Sequence, residues 1–180
     1  ADRYWVGGPG NWRDAPNHWA TVSGGAPGAG NLPTAADNAI FNASSNGSNA
    51  AYTVTVNATA VCNDLNFSAK PGNGLGGTIT WAGNSTITIS GSMTLLAGMT
   101  ISTTGTIVFN ATSTGKTINT NGVSIFSPTT LTFNGVGGEW TLLSNAAFVG
   151  SSGVTLTNGT LIVGAHTLQA KSFSSNNANS

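Results

Sequence analysis

Charge is the scarcest property of this 180-residue chain: only 6% of its residues are Asp, Glu, Lys or Arg, and its net charge is zero. An ordinary globular domain carries about 25% charged residues. A nucleic-acid groove or a polybasic membrane patch needs clustered basic residues, so we expect neither partner. A net charge of zero gives little protection against self-association, so we expect a homo-oligomer or polymer. The dispersed basic residues are Arg3, Arg13, Lys70, Lys116 and Lys171.

Cysteine and long apolar runs are also scarce. Cys62 is the only cysteine, so no disulfide can form within the chain. It lies in the apolar run 61–67, and we expect it to be a small buried hydrophobe. No apolar run approaches the ~20 residues that a membrane helix requires, so we expect no membrane insertion.

Groups that carry chemistry are sparse and separated. Glu139 is the only carboxylate after Asp64, whereas glycoside hydrolysis ordinarily uses two. His18 and His166 are far apart in sequence, and neither has a partner at metal-ligand spacing. The chain contains no nucleophile elbow, P-loop or plausible dinucleotide fingerprint. These patterns predict that the protein is not an enzyme, with no catalytic residues, metal site or cofactor.

What the sequence does contain is a long series of short β-like runs. From about Gly77 to Phe173, apolar residues alternate with Thr, Ser or Asn, which is the period of a strand with one buried face. Gly and Asn separate these runs, and both tolerate the backbone angles of tight turns. Tyr52–Val56 and 61–67 are predicted as two further strands, and 37–41 as the first strand of the chain. The sequence therefore predicts an all-β protein.

The length and spacing of the runs favour a parallel β-helix, with a β-sandwich or jelly roll as the alternative. Runs of three or four residues between small polar turns are shorter than sandwich strands usually are. Similar phrases begin at Gly105, Gly122 and Gly159, without a fixed period, as in solenoids with irregular coils. Roughly five coils are expected, each rising about 4.8 Å.

Residues 1–42 differ from the rest and are predicted to form a cap rich in Trp, Gly and Pro, with a loop that covers a sheet edge. Three of the five tryptophans lie here at spacings of seven residues, but Pro9 and Pro16 exclude a helical heptad. Residues 43–180 would form the solenoid body, which we expect to be truncated or to continue at its C-terminal end. Exposed aromatic rings can stack on sugars, while buried ones would close the end of the core. The candidate binding residues, for a glycan or for another subunit, are Tyr4, Trp5, Trp12 and Trp19.

The phrase Tyr4-Trp-Val-Gly-Gly-Pro-Gly-Asn-Trp12, followed by Asn17-His-Trp19 and Pro33-Thr-Ala-Ala-Asp-Asn38, resembles the start of certain β-helical proteins. These are structural proteins of tailed phages and secreted or autotransporter-like surface proteins of bacteria. The phrase Phe133-Asn-Gly-Val-Gly-Gly-Glu-Trp-Thr-Leu142 resembles repeats of that group. The resemblance implies an extracellular structural or adhesive role and supplies no catalytic residues.

These observations lead to one expected function and two alternatives. We expect a non-enzymatic structural subunit of an extracellular assembly, such as a phage tail, fibre or decoration protein, located on a virion or cell surface. The first alternative is a bacterial secreted adhesin or surface-filament subunit with the same fold. The second is a carbohydrate-binding module that holds a host-surface glycan with the aromatic residues of the cap.

Overall fold

The chain folds into a stack of parallel β-coils, as a computed structural model shows for residues 1–72, 76–125, 130–149 and 153–176. About five turns stack on one another, and the described part contains almost no helix. The predicted parallel β-helix is confirmed, and the sandwich alternative is wrong. No helix in these ranges is long and apolar enough to cross a membrane.

Nineteen short strands and two helical turns make up the described chain. The helical turns are α1 (Ala15–His18) and a 3₁₀ turn at Ala29–Asn31. The strands, in chain order, are β1 (Asp2–Trp5), β2 (Gly10–Asn11), β3 (Trp19–Ala20), β4 (Asn38–Phe41), β5 (Tyr52–Val56), β6 (Ala60–Cys62), β7 (Leu65–Phe67), β8 (Ile79–Gly83), β9 (Ile87–Ile89), β10 (Met93–Thr94), β11 (Thr100–Ile101), β12 (Ile107–Phe109), β13 (Lys116–Asn119), β14 (Ser124–Ile125), β15 (Leu131–Leu142), β16 (Ala146–Phe148), β17 (Val154–Ile162), β18 (Leu168–Ala170) and β19 (Phe173–Ser175).

Each full coil contributes one strand to each of three faces, and the first turn, with β1 and β2, contributes to two of them. The first face contains β1, β4, β7, β10, β13 and the second halves of β15 and β17. The second face contains β2, β5, β8 and β11, followed by a separate ladder of β14, β16 and β18. The third face contains β6, β9, β12, the first halves of β15 and β17, and β19. Apart from β3, which is antiparallel to β1, the strands pair in parallel.

The corner between the third and first faces explains one prediction that was wrong. The run 61–67 was expected to be one strand, but it forms β6 and β7 on two different faces. Asn63 and Asp64 make the bend between them. The Asn63 amide donates to Asn38 Oδ1 at 2.8 Å, and Asp64 Oδ1 accepts from the Ser92 backbone N–H at 2.7 Å. These side chains satisfy polar groups that a straight strand would have paired in its ladder.

The core is a column of inward side chains that stack from coil to coil. Phe41 stacks on Phe67 at 4.3 Å between ring centroids, and Phe109 stacks on Phe133 at 4.9 Å. Trp81 and Trp140 are buried in this column, and Cys62 is buried as predicted. Because the same position of each coil faces inward, apolar burial is continuous along the stack.

The outward positions form registered columns of uncharged side chains, most of which are polar. On the second face Thr53 lies beside Thr80, and Thr80 lies beside Thr100. One column on the third face contains, in order, Thr88, Val108, Thr132, Thr155 and Ser174. Hydroxyl and amide groups therefore take the places that charged side chains occupy on most protein surfaces.

Candidate functional site

The aromatic residues predicted as a binding site lie together, but three of the four are inside the protein. Trp5 and Trp19 have no exposed surface, and Trp12 is 2% exposed. Trp5 packs edge-on against Trp19 at 5.1 Å, and Trp12 packs edge-on against Trp19 at 4.9 Å. All three contact the ring of Phe41, an inward residue of the first full coil. The cluster therefore covers the N-terminal end of the apolar core.

Backbone groups hold this cluster in place. The indole N–H of Trp5 donates to the Gly8 carbonyl at 2.7 Å, and that of Trp19 donates to the Trp12 carbonyl at 2.7 Å. The Trp12 backbone N–H donates to the Thr55 carbonyl at 2.9 Å, which ties the cap to β5. A sugar stacks only on an exposed ring face, and these three rings present none in this structure.

His18 completes the cap. Its imidazole stacks on Trp5 at 4.5 Å with an angle of 5° between the rings, and Nδ1 donates to the Val6 carbonyl at 2.9 Å. Gly10 makes room for it, because a Cβ built at Gly10 would overlap the imidazole. The residues that make the N-terminal phrase distinctive thus have structural roles in this arrangement.

Tyr4 is the only candidate binding residue with partial exposure. It lies on the outward side of β1, and its hydroxyl donates to Asp2 Oδ2 at 3.3 Å. Desolvation raises the pKa of the Tyr4 hydroxyl, and the Asp2 carboxylate raises it further. The structure does not bring the exposed part of Tyr4 into an aromatic surface with the three tryptophans.

The cap also blocks the first sheet edge. β3 is two residues long, and the Gly/Pro segment lies along its outer side through an isolated bridge between Ala20 and Pro27. A short edge strand followed by proline is a common way to prevent further strand pairing. The predicted boundary between cap and solenoid body at residue 42 stays a prediction. Both β1 and β4 precede it; they pair with each other, and β4 also pairs with β7 of the body.

At the other end, the last described coil is less covered. Each of its strands, β18, β19 and the second half of β17, pairs on one side only within the described residues. Phe173 is 49% exposed and Ile162 is 37% exposed, and three apolar neighbours are only partly buried. Apolar surface of this kind is available for contact with another strand layer. The partly buried neighbours are Leu161, Val163 and Leu168.

The few charged groups do not converge. Asp37 is the best-connected acid, since it accepts hydrogen bonds from the Thr34 hydroxyl at 2.6 Å and lies 3.7 Å from the Arg3 guanidinium. The Thr34 hydrogen bonds lower the pKa of Asp37 to about 2, against the opposing effect of its desolvation. Within the described residues, no three His, Cys, Asp or Glu side chains form a group that could hold a metal ion.

Shallow depressions mark the surface of the described part. One, of about 270 Å³, lies on the second face where β11 and β14 are adjacent but unpaired, and Thr100 and Ser124 line it. Another, of about 290 Å³, is lined by Asn145 and Gln169. A third, of about 170 Å³, contains Glu139, and sequence reasoning did not single it out.

Comparison with family models, curated proteins and solved structures finds no match for this chain. The structure itself shows a β-solenoid, the fold of the β-helical proteins that the N-terminal phrase resembles.

Proposed function

We propose that this chain is a non-enzymatic structural subunit of an extracellular assembly, namely a phage tail, fibre or decoration protein used for scaffolding or host attachment. The observation that carries the proposal is the solenoid with registered, uncharged outward columns. A stack of this kind has a continuous core and resists bending, as a rod-like building block must. The extracellular location and the phage assignment rest on the resemblance of the N-terminal phrase.

Two features support assembly into a larger structure. The exterior carries few charges, so copies repel one another weakly. The last described coil exposes Ile162 and Phe173 beside strands with one unpaired edge, and strand addition there would bury both side chains. At the opposite end the rings of the cap cover the core.

Sedimentation velocity and electron microscopy of the purified chain test this proposal. We expect concentration-dependent oligomers or rods. Phe173→Lys should reduce association, because it places a charge in the proposed contact. Thr94→Lys is the matched control, since Thr94 is an outward residue of β10, the middle strand of the first face. A chain that stays monomeric at the highest soluble concentration would contradict assembly.

A bacterial secreted adhesin or surface-filament subunit is the second candidate, because the same N-terminal phrase also resembles such proteins. Immunogold labelling separates the two. Labelled virions support the phage assignment, whereas label confined to the surface of virus-free cells supports the bacterial one.

A further inference from the structure

The depression of about 170 Å³ lies where the regular ladder between β15 and β17 is interrupted. Asn134 lies beside Asn158 and Glu139 lies beside Thr160, so the four residues 135–138 of β15 face only Gly159. A smaller irregularity precedes it, since Phe133 lies beside Leu156 and Asn134 beside Asn158, which leaves Thr157 outside the register. Such bulges redirect side chains and are frequent beside functional sites.

The backbone beneath this depression is tightly packed. A Cβ built at Gly159 would lie 2.7 Å from the Gly135 carbonyl oxygen and 2.8 Å from the Trp140 ring. A Cβ at Gly138 would overlap the Ala111 carbonyl and lie 2.9 Å from Trp140. Gly159 also has a positive φ of 95°, which L side chains rarely adopt. The floor is therefore fixed backbone resting on a buried indole, and it needs little ordering when a ligand binds.

The side chains around the floor are polar and uncharged apart from Glu139 and Val136. Glu139 is the only carboxylate of the chain after Asp64, and no ion pair involves it in the described part. The Asn158 amide donates to Asn134 Oδ1 at 2.7 Å, which orients its own carbonyl oxygen as a further acceptor. Thr114 and Thr160 add hydroxyls, and Val136, 75% exposed, stands at the rim.

We propose that this depression binds one ring of a neutral saccharide. Two adjacent sugar hydroxyls can donate to the Glu139 carboxylate, and such charge-assisted bonds are among the strong ones. Threonine hydroxyls and the Asn158 carbonyl oxygen can pair with further hydroxyls, while the C–H face of the ring contacts Val136.

Other ligand classes fit less well. An anionic ligand would be repelled by Glu139, and a calcium ion prefers six to eight oxygen ligands with several carboxylates among them. Sites for drug-sized molecules usually exceed about 300 Å³, so this volume suits a single ring with the rest of an oligosaccharide outside. The three cap indoles are buried, so this depression replaces the cap as the candidate glycan contact.

A glycan array printed with neutral and sialylated oligosaccharides, followed by saturation-transfer NMR with the best neutral binder, tests the site on the full chain. We expect the parent to bind, and Glu139→Gln to weaken binding about tenfold, since a hydrogen bond to a charged group is lost without a change of shape. Thr160→Val should weaken it by a smaller factor. Ser124→Ala, in the depression on the second face, and Tyr4→Phe, in the cap, are controls that should bind like the parent.

Backbone amide shifts of Gly137, Gly138 and Gly159 during the titration provide a second measurement that does not depend on the variants. Movement of these amides supports the site. Four results would overturn it: no saccharide binding by the parent, parent-like binding by folded Glu139→Gln, binding of sialylated glycans alone, or binding that a chelator abolishes. The assembly experiments above do not bear on these results, so the two proposals can fail separately.

Discussion

The substitution Gly10→Ala gives the sharpest test of the cap. The residue lies opposite the imidazole of His18, and an added methyl group would overlap that ring. The imidazole has little space to move, because it stacks on Trp5 and is 7% exposed. We therefore expect the alanine to displace His18 and loosen the aromatic cluster beneath it.

The cost can be built from the contacts that His18 makes. The ring stack with Trp5 is worth about 1 kcal/mol, and the hydrogen bond to the Val6 carbonyl about 1 kcal/mol. Forcing an extra methyl group into a packed site costs about 1–3 kcal/mol. Since a displaced ring relieves part of the overlap, the three contributions do not add fully, and about 3 kcal/mol is expected. In a chain of this length, that lowers the melting temperature by roughly 6–12 °C.

Urea and thermal unfolding, followed by tryptophan fluorescence, measure this change, since three of the five tryptophans lie in the cap. Hydrogen exchange of the cap amides shows whether the cap opens before the coils. Gly30→Ala is the matched control: a Cβ there meets nothing within 4 Å, and the change should be within about 0.5 kcal/mol. In Gly10→Ala/His18→Ala the second alanine should add less than it does alone. Equal stability of the Gly10 and Gly30 variants would refute the packing argument.

Two further predictions concern titratable groups. Hydrogen bonds from Thr34 hold the pKa of Asp37 at about 2, so its charged form stabilises the fold above pH about 4, and this stabilisation, of order 1 kcal/mol, disappears as the pH falls towards 2. The stability gap between the parent and Asp37→Asn in urea should close over that interval, and a constant gap would contradict it. Burial raises the pKa of the Cys62 thiol, with Asp64 adding to the effect. A thiol reagent at pH 8 should label the chain only after unfolding, and rapid labelling of the native protein would show that the thiol is accessible.

The fold was predictable because alternation is a local property. Runs such as Tyr52–Val56 reveal their buried face without knowledge of their neighbours, and each of these side chains is buried or half-buried as expected. The strand Ala146–Phe148 escaped prediction because two adjacent alanines hide the alternation, although only one of them faces the core. Prediction of a strand therefore depended on a contrast in polarity between neighbouring residues, and not on their strand propensity.

Bends and coil lengths were less predictable, because they depend on which residues meet across coils. Leu65 lies beside Met93, 28 residues later, whereas Ile87 lies beside Ile107, 20 residues later. The differences are taken up in turns, so the strands stay in register while the sequence shows no fixed period. A contact between coils also explains the wrong prediction at Asn63. Its amide donates to Asn38 of the preceding coil, and a corner forms within an apolar run.

The cap tryptophans show why residue type alone could not locate a binding site. Trp5, Trp12 and Trp19 have the chemistry for stacking on a sugar, and equally the area to close an apolar core. Only the position of Phe41 beneath all three rings decides between these roles. The sequence shows three tryptophans near one another, but the burial of their rings follows from a contact between the cap and the first coil.

The depression that contains Glu139 forms where the ladder between β15 and β17 is interrupted. No cluster of aromatic or charged residues in the sequence marks its position. In sequence, Gly135-Val-Gly-Gly138 has the composition of a turn, but the structure places it inside one continuous strand that passes from the third face to the first. A turn would carry Glu139 into solvent. In the bulge, residues 135–138 face Gly159 of the next coil, and Glu139 stays half-buried beside Thr160. In a solenoid whose strands mostly stay in register, a place where four residues oppose one is where a specific recognition site can form without disturbing the core. Function in this chain is therefore best sought at breaks in its regularity.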